Sequence, residues 1–237
     1  MMFGTGGIMV TLVSDKPDGP FHAAKRNFRL LAGHTYFSRF FPTPDGVLVN
    51  HHAIARNGQV YFAPLKQAVV DDEGTLRLGW WTGNEKMKHE SIELKLAAAN
   101  RPADSAIVML ENVFDVNQGV ILEGTLALPE PEELPNGLYI ECKEDRGSAI
   151  LVGINGMTEL GAMCPSGCGF EPEKPVDREM GFGKQPAFRL LLRHCLLEFY
   201  LDDILVECYS LPTEATGRIG LIQASSPTAV ENLRAWR

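Results

Sequence analysis

Long apolar runs are missing from this 237-residue chain. No segment reaches the roughly 18 consecutive apolar residues that a membrane-spanning helix needs, so no membrane partner is expected. Positive charge is in short supply: 22 Lys and Arg stand against 30 Asp and Glu, giving a net charge of −8 and a pI near 5.3. A surface of that sign repels phosphate backbones, which argues against nucleic acid as a partner. Cysteine is scarce. Cys142, Cys164, Cys168, Cys195 and Cys208 are odd in number and confined to the second half, so a disulfide framework is not expected and reduced thiols are. The start, Met1-Met2-Phe3-Gly4-Thr5-Gly6-Gly7, lacks the basic and apolar stretches of a secretory signal, which makes the cytoplasm the default location. Apolar content of 45% with 22% charged residues argues against disorder, and a soluble chain of two units is expected.

What the chain does have is punctuation. Its 23 glycines and 15 prolines separate short runs rich in Val, Ile, Leu, Phe and Tyr, the pattern of an all-β protein. Strands are predicted at Ile8 to Val13, Tyr36 to Phe41, Val47 to His52, Gln59 to Ala63 and Leu76 to Trp81, with turns at Pro44-Asp45-Gly46, Arg56-Asn57-Gly58 and Asp72-Glu73-Gly74. A second series runs through Ala106 to Leu110, Val120 to Leu128, Leu138 to Glu141, Ala149 to Ile154, Phe188 to Leu192, Leu196 to Leu201, Ile204 to Tyr209 and Gly217 to Ile222. The rhythm suits a sandwich, barrel or propeller. Asp202-Asp203 reads as a hairpin turn of two residues that tolerate positive φ. From Glu85 to Ala99 helix and alternation are both open, because Met87, Ile92, Leu94 and Leu96 fit either period. Asn100-Arg101-Pro102-Ala103-Asp104 then breaks any regular element. The expected division is 1–88, a linker at 89–103 that helix or extended chain could occupy, and 104–237.

Three phrases carry a resemblance. FRLLLRHCLLEFYLDDILVECYSLP (188–212), followed by GRIGLI (217–222), places a strand ending in Arg before an E-F-Y strand, an acidic turn and a further apolar strand. VTLVSDKPDGPF (10–21) joins an apolar strand to Ser-Asp and a Gly-Pro-aromatic turn. GHTYFSRFFPTPDGVLVNHH (33–52) opens a strand with Gly-His, turns at Asp-Gly and ends the next strand in His. These resemble glycoside hydrolases of families 32 and 43, which join a five-bladed β-propeller to a concanavalin-like or laminin-G-like β-sandwich. The resemblance implies an all-β C-terminal portion: the last propeller blade or two, then the sandwich. It implies a carbohydrate partner, with fructosides or similar glycans as the substrate class, and either self-association or a missing N-terminal propeller segment. It also implies that His34, Tyr36, Arg39, His51 and His52 bind substrate at the propeller's central funnel. The Asp-Pro-Asn and Arg-Asp-Pro phrases of family 32 are absent, and Glu141-Cys142, which spells that family's acid motif, falls in the sandwich half and is read as coincidence.

Hydrolysis of a glycosidic bond needs two carboxyl groups flanking it. Asp15, Asp18, Asp45, Asp71, Asp72, Glu73, Glu85 and Glu90 are the first-half candidates, and most lie in turns where solvated capping is the ordinary role; no catalytic residue is assigned. A non-catalytic carbohydrate-binding or protein-interaction module is the alternative function. Strict alternation puts Tyr36 on the face of His34 and Arg39 on the other, with His51 and His52 on opposite faces. Gly4-Thr5-Gly6-Gly7 lacks the Lys-Ser/Thr of a phosphate loop. Cys164-Pro165-Ser166-Gly167-Cys168 offers two thiolates where structural zinc wants four ligands, so neither metal nor cofactor is expected. Trp80-Trp81 is open to sugar stacking or to a contact between the two units.

Overall fold

The computed structural model describes residues 2–5, 8–31, 35–55, 58–95, 107–143, 146–167, 169–172 and 181–237. The N-terminal part carries β1 (Met2–Thr5), β2 (Ile8–Val13), β3 (His22–Ala23), β4 (Arg29–Leu31), β5 (Thr35–Thr43), β6 (Gly46–Ile54), β7 (Val60–Phe62), β8 (Lys66–Val70) and β9 (Leu76–Trp80). A 3-10 turn at Thr82–Met87 and β10 (Ser91–Ile92) lead out of it. There follow β11 (Ile107–Val113), β12 (Val120–Leu126), β13 (Asn136–Cys142), β14 (Gly147–Val152), β15 (Thr158–Met163) and β16 (Glu171–Pro172). The chain closes with β17 (Ala187–Arg193), β18 (Leu196–Leu201), β19 (Ile204–Ser210), β20 (Ala215–Ile222) and β21 (Val230–Trp236). The chain is all-β, as its punctuation implies.

An eleven-stranded antiparallel sheet runs in the order β10-β21-β12-β17-β18-β19-β9-β8-β6-β5, with β7 on the side of β6. Its first half is one layer of a sandwich whose other layer is the six-stranded sheet β11-β20-β13-β14-β15-β16. Its second half is the meander β5-β6-β8-β9, and β1 to β4 form a small separate sheet. Alternation of side chains explains the continuous apolar runs of β17, β18 and β19. Leu190, Leu192, Leu197, Phe199, Leu201 and Val206 pack on Leu138, Ile140, Ile150, Ile219 and Leu221 of the other layer. The intervening Leu191, Leu196, Tyr200, Leu205 and Cys208 pack on Met9, Leu30, Leu31, Val49, Leu78 and Trp80 of the N-terminal part. Both faces of these strands are buried.

The join between meander and sandwich is narrow. Ile204 pairs with Gly79, and the Trp80 amide donates to the Asp203 carbonyl at 2.7 Å. Asp203 sits in the expected two-residue hairpin, where Asp202 and Asp203 take φ of 42° and 63° between the paired Leu201 and Ile204.

Of the two readings from Glu85 onward, a 3-10 turn takes the first residues and extended chain follows it. The 3-10 turn ends at Met87, and Ser91 and Ile92 pair with Trp236 and Ala235. Ile92 and Leu94, two apart, both pack on the sandwich core, a placement that extended chain allows and helical spacing does not. Residues 96–106 lie outside the described residues.

Gly217 shows how closely β20 approaches the chain just after its neighbour β11. It holds φ of +87°, and a Cβ there would lie 2.0 Å from the Phe114 carbonyl oxygen, whose own amide donates to the Gly217 carbonyl at 2.8 Å. Left-handed backbone and missing space act together. Gly217→Ala is expected to lower unfolding stability by about 3 kcal/mol, read from guanidinium denaturation.

Candidate functional site

The face that the meander turns toward the sandwich carries a set of polar side chains in an otherwise apolar contact. On β6, Val49, His51 and Ala53 alternate into the interface and are buried. Lys66 opens β8 between Val49 and Trp80 and is fully buried. From the sandwich, Glu198 of β18 shares a face with Leu196 and Tyr200 and is likewise fully buried. Lys66 Nζ donates to Glu198 Oε1 at 2.5 Å and to the Pro64 carbonyl at 2.9 Å. Tyr200 donates its hydroxyl to Glu198 Oε2 at 2.8 Å. Cys208 Sγ lies 3.8 Å from Glu198 Oε1 and 3.9 Å from His51 Nε2, and His51 Nδ1 lies 3.2 Å from the His52 carbonyl.

Burial decides the protonation states here. Loss of solvent, reinforced by the nearby Lys66 charge, pushes the His51 imidazole well below its ordinary 6.5 and outweighs the His52 carbonyl. Burial, followed by the Glu198 charge, pushes the Tyr200 hydroxyl well above 10.0, so it stays a donor. His51, Glu198 and Cys208 hold their ligand atoms within 4.8 Å of one another, a spacing that would suit a metal. The Lys66 ammonium already occupies a place beside the Glu198 oxygen such an ion would use. The cluster is a charge pair with a neutral imidazole, and the set does not fit a metal.

A second network ties the 3-10 turn to the sandwich. Glu123 of β12 accepts from Arg189 Nε at 2.6 Å and lies 2.6 Å from Lys88 Nζ. Glu85 accepts from Lys88 Nζ at 2.6 Å and from the Trp80 indole at 2.7 Å. Burial pushes the Glu85 carboxyl up, but those two hydrogen bonds with the Lys88 and Arg189 charges outweigh it and hold it below the usual range. Trp80 packs edge-on against Tyr200 with centroids 5.3 Å apart, under the Arg189 guanidinium at 4.1 Å. Of the two readings of Trp80, the contact between units is the one observed.

The expected substrate-binding residues divide. His34 lies outside the described residues, and of Tyr36 only the backbone is described. A bulge between Tyr36 and Ser38 sets Tyr36 opposite His52, Ser38 opposite His51 and Arg39 opposite Asn50. This irregularity moves Arg39 onto the strand face of position 52, whereas unbroken alternation places it on the other. Arg39 Nη1 stands 3.4 Å from His52 Nε2, and His52 meets Phe62 edge-on with centroids 4.7 Å apart. His51 points the opposite way into the buried cluster. Glu141 accepts from the Thr216 hydroxyl at 2.7 Å within the six-stranded sheet. Cys168 lies outside the described residues.

No family model and no curated protein matches the chain. Solved structures do. The Bombyx mori GH32 beta-fructofuranosidase BmSUC1 aligns with all of this chain and 53% of its own, at 12% identity and a TM-score of 0.58. Exo-inulinase from Aspergillus awamori aligns with 97% of this chain and 49% of its own, at 7% identity and 0.58. Sucrose-6-phosphate hydrolase from Lactobacillus gasseri aligns with 88% of this chain and 42% of its own, at 14% identity and 0.55. The fold is the one that about half of each of these structures has. The chain spans about half the length of these structures. In this fold, the Lys66–Glu198 pair lies where meander meets sandwich.

Glu198 leaves a trace in the sequence, a lone carboxylate inside the apolar run Leu196 to Leu201, and a buried charge requires a partner. Nothing local marks Lys66 as that partner.

Two outcomes follow from the cluster. Lys66→Met and Glu198→Leu alone each strand a buried charge and should cost about 3 to 5 kcal/mol, whereas the double variant should recover most of that loss; urea unfolding of the four proteins measures the cycle. His51 binds its proton less readily folded than unfolded, so stability is full above 6.5 and declines as pH falls from there toward the lowered folded value. The slope contributed is about 1.4 kcal/mol per pH unit, and His51→Gln should remove it.

Proposed function

We propose that the chain is a carbohydrate-active protein of the fructosidase type, in which 1–88 supplies the last blade or two of a propeller, 89–103 the linker and 104–237 the sandwich. Its sugar-facing surface is the one that Arg39 and His52 share by register, to which the family resemblance adds His34 and Tyr36, with His51 holding the meander from behind. Fructosides or similar glycans are its ligands.

The observation that carries this reading is the extent of the structural match. A stand-alone sandwich module would align through β11 to β21 only, yet the alignment with the Bombyx mori beta-fructofuranosidase takes in the whole chain, meander included. One observation favours the second reading, a non-catalytic carbohydrate-binding or protein-interaction module. Several first-half carboxylates are consumed by cations: Glu73 by Arg26, Asp71 by Arg77, Glu85 by Lys88 and Glu90 by Arg237. A carboxylate so engaged is poorly placed to act as acid or nucleophile. We therefore read the chain as lacking the full catalytic set. The exposed Phe40 and Phe41 on β5, the last strand of its sheet, support association with a second copy or with a further propeller segment.

The isolated chain should retain inulin or levan in affinity electrophoresis while releasing no fructose from sucrose, inulin or levan. Turnover lost on substitution of one carboxylate within 1–88 would overturn the non-catalytic part of this reading, and failure to retain any glycan would overturn the carbohydrate part.

A further inference from the structure

A concavity of about 520 Å³ opens between the two halves of the chain, lined by Gln59 and Tyr61 beside Asn117, Lys143, His194, Glu214 and Thr216. It is not the surface of Arg39 and His52. Across β6 and β7, Phe62 opposes His52 while Tyr61 opposes Ala53, so alternation sends Phe62 and Tyr61 to opposite faces. The size falls within the range of small-ligand sites, about 300 to 1,000 Å³.

The chemistry of the lining selects the ligand class. The Tyr61 and His194 rings lie nearly parallel, centroids 5.3 Å apart and 19° between planes, an aromatic edge shared by both halves. Lys143 donates to Glu214, and that hydrogen bond together with the Lys143 charge holds the Glu214 carboxyl below its usual range. Each charge of the pair offsets the other, leaving no surplus charge to select an anion or a cation. What remains is a mixture of donors and acceptors: the Gln59 and Asn117 carboxamides, the Thr216 hydroxyl and the phenol of Tyr61, which donates to Gln59 Oε1 at 2.7 Å. Neutral, bifunctional and rimmed by rings, such a surface matches a polyhydroxylated ligand.

His194 adds an independent sign. It occupies a two-residue hairpin between Arg193 and Leu196 at φ of 53°, a corner that Gly, Asn or Asp fills with less strain. Its amide donates to the Val116 carbonyl at 2.7 Å, which fixes the corner against the sandwich. The corner holds the imidazole beside the Tyr61 ring.

We propose that this groove binds a neutral saccharide, with a sugar ring against Tyr61 and His194 and its hydroxyls shared among Gln59, Asn117, Thr216 and the Lys143–Glu214 pair. The inference rests on the carbohydrate reading above and assigns it a second site. Because both halves line the groove, occupancy also stabilises their junction.

The test uses the full chain with short inulin and levan oligosaccharides, followed by NMR titration and by thermal unfolding with and without sugar. His194→Asn keeps a residue suited to the left-handed corner and removes the imidazole; Tyr61→Ala removes the other ring. Each is expected to weaken binding about tenfold with an unchanged ligand-free Tm, and to reduce the sugar-induced rise in Tm. If Tyr61→Ala unfolds, His194→Asn decides. Wild-type affinity in both variants overturns the groove and leaves the carbohydrate reading standing, as does a loss confined to Arg39→Ala. A wild-type chain that binds neither sugar overturns both.

Discussion

A sheet covered on both faces leaves few side chains of its middle strands in contact with water, and β17, β18 and β19 are such strands. One layer is the usual interior of a sandwich. The other exists only because the N-terminal strands lie against it, so the apolar surface of Leu191, Leu196, Tyr200 and Leu205 is stable in water only while the meander is docked. The Lys66–Glu198 pair sharpens this dependence. Apolar contact alone tolerates sliding, whereas an ammonium and a carboxylate removed from solvent must meet at hydrogen-bond distance or not be buried at all. The pair thereby fixes register between two units whose backbone pairing is slight.

The strands legible in the sequence were those with a continuous or alternating apolar signal bounded by Gly, Pro or Asp. The Asp202–Asp203 hairpin was readable because both residues tolerate positive φ. Others were hidden for physical reasons. β8 begins at a Lys and includes a Gln, so its buried edge carries no hydrophobic signature. β15 mixes Thr, Glu, Gly and Ala, and β21 sets Glu, Asn and Arg among its apolar residues, with Asn232 at φ of 55° interrupting the alternation. The buried cluster was hardest to see because its members come from two groups of strands, with Lys66 and Glu198 lying 132 positions apart. Arg39 shows a further limit: one extra residue in β5 changes the face on which every later residue falls, and bulges of this kind have no reliable sequence mark.

Identity of 7% to 14% with fructosidase structures shows what a fold of this kind retains as sequences diverge. An architecture can be shared at such identity because many apolar residues satisfy the same layer. Site chemistry does not follow from shared architecture, and here it has to be read from the groups present. Those groups fall on two faces of the meander, one presenting Arg39 and His52, the other joining Tyr61 to the sandwich.

The amide of Trp80 reaches the carbonyl of Asp203 at the corner of a hairpin, and with that single strand contact two sheets become one. A consequence concerns modularity. Sandwiches of this shape look like interchangeable parts, yet this one has a hydrogen-bonding edge, an apolar outer face and a carboxylate that are complete only with its own N-terminal neighbour. A chimera that exchanges the sandwich for another would have to import a matching hairpin corner, a matching outer face and a carboxylate opposite Lys66. Evolution faces the same requirement, so the two halves are expected to be inherited together and to diverge together.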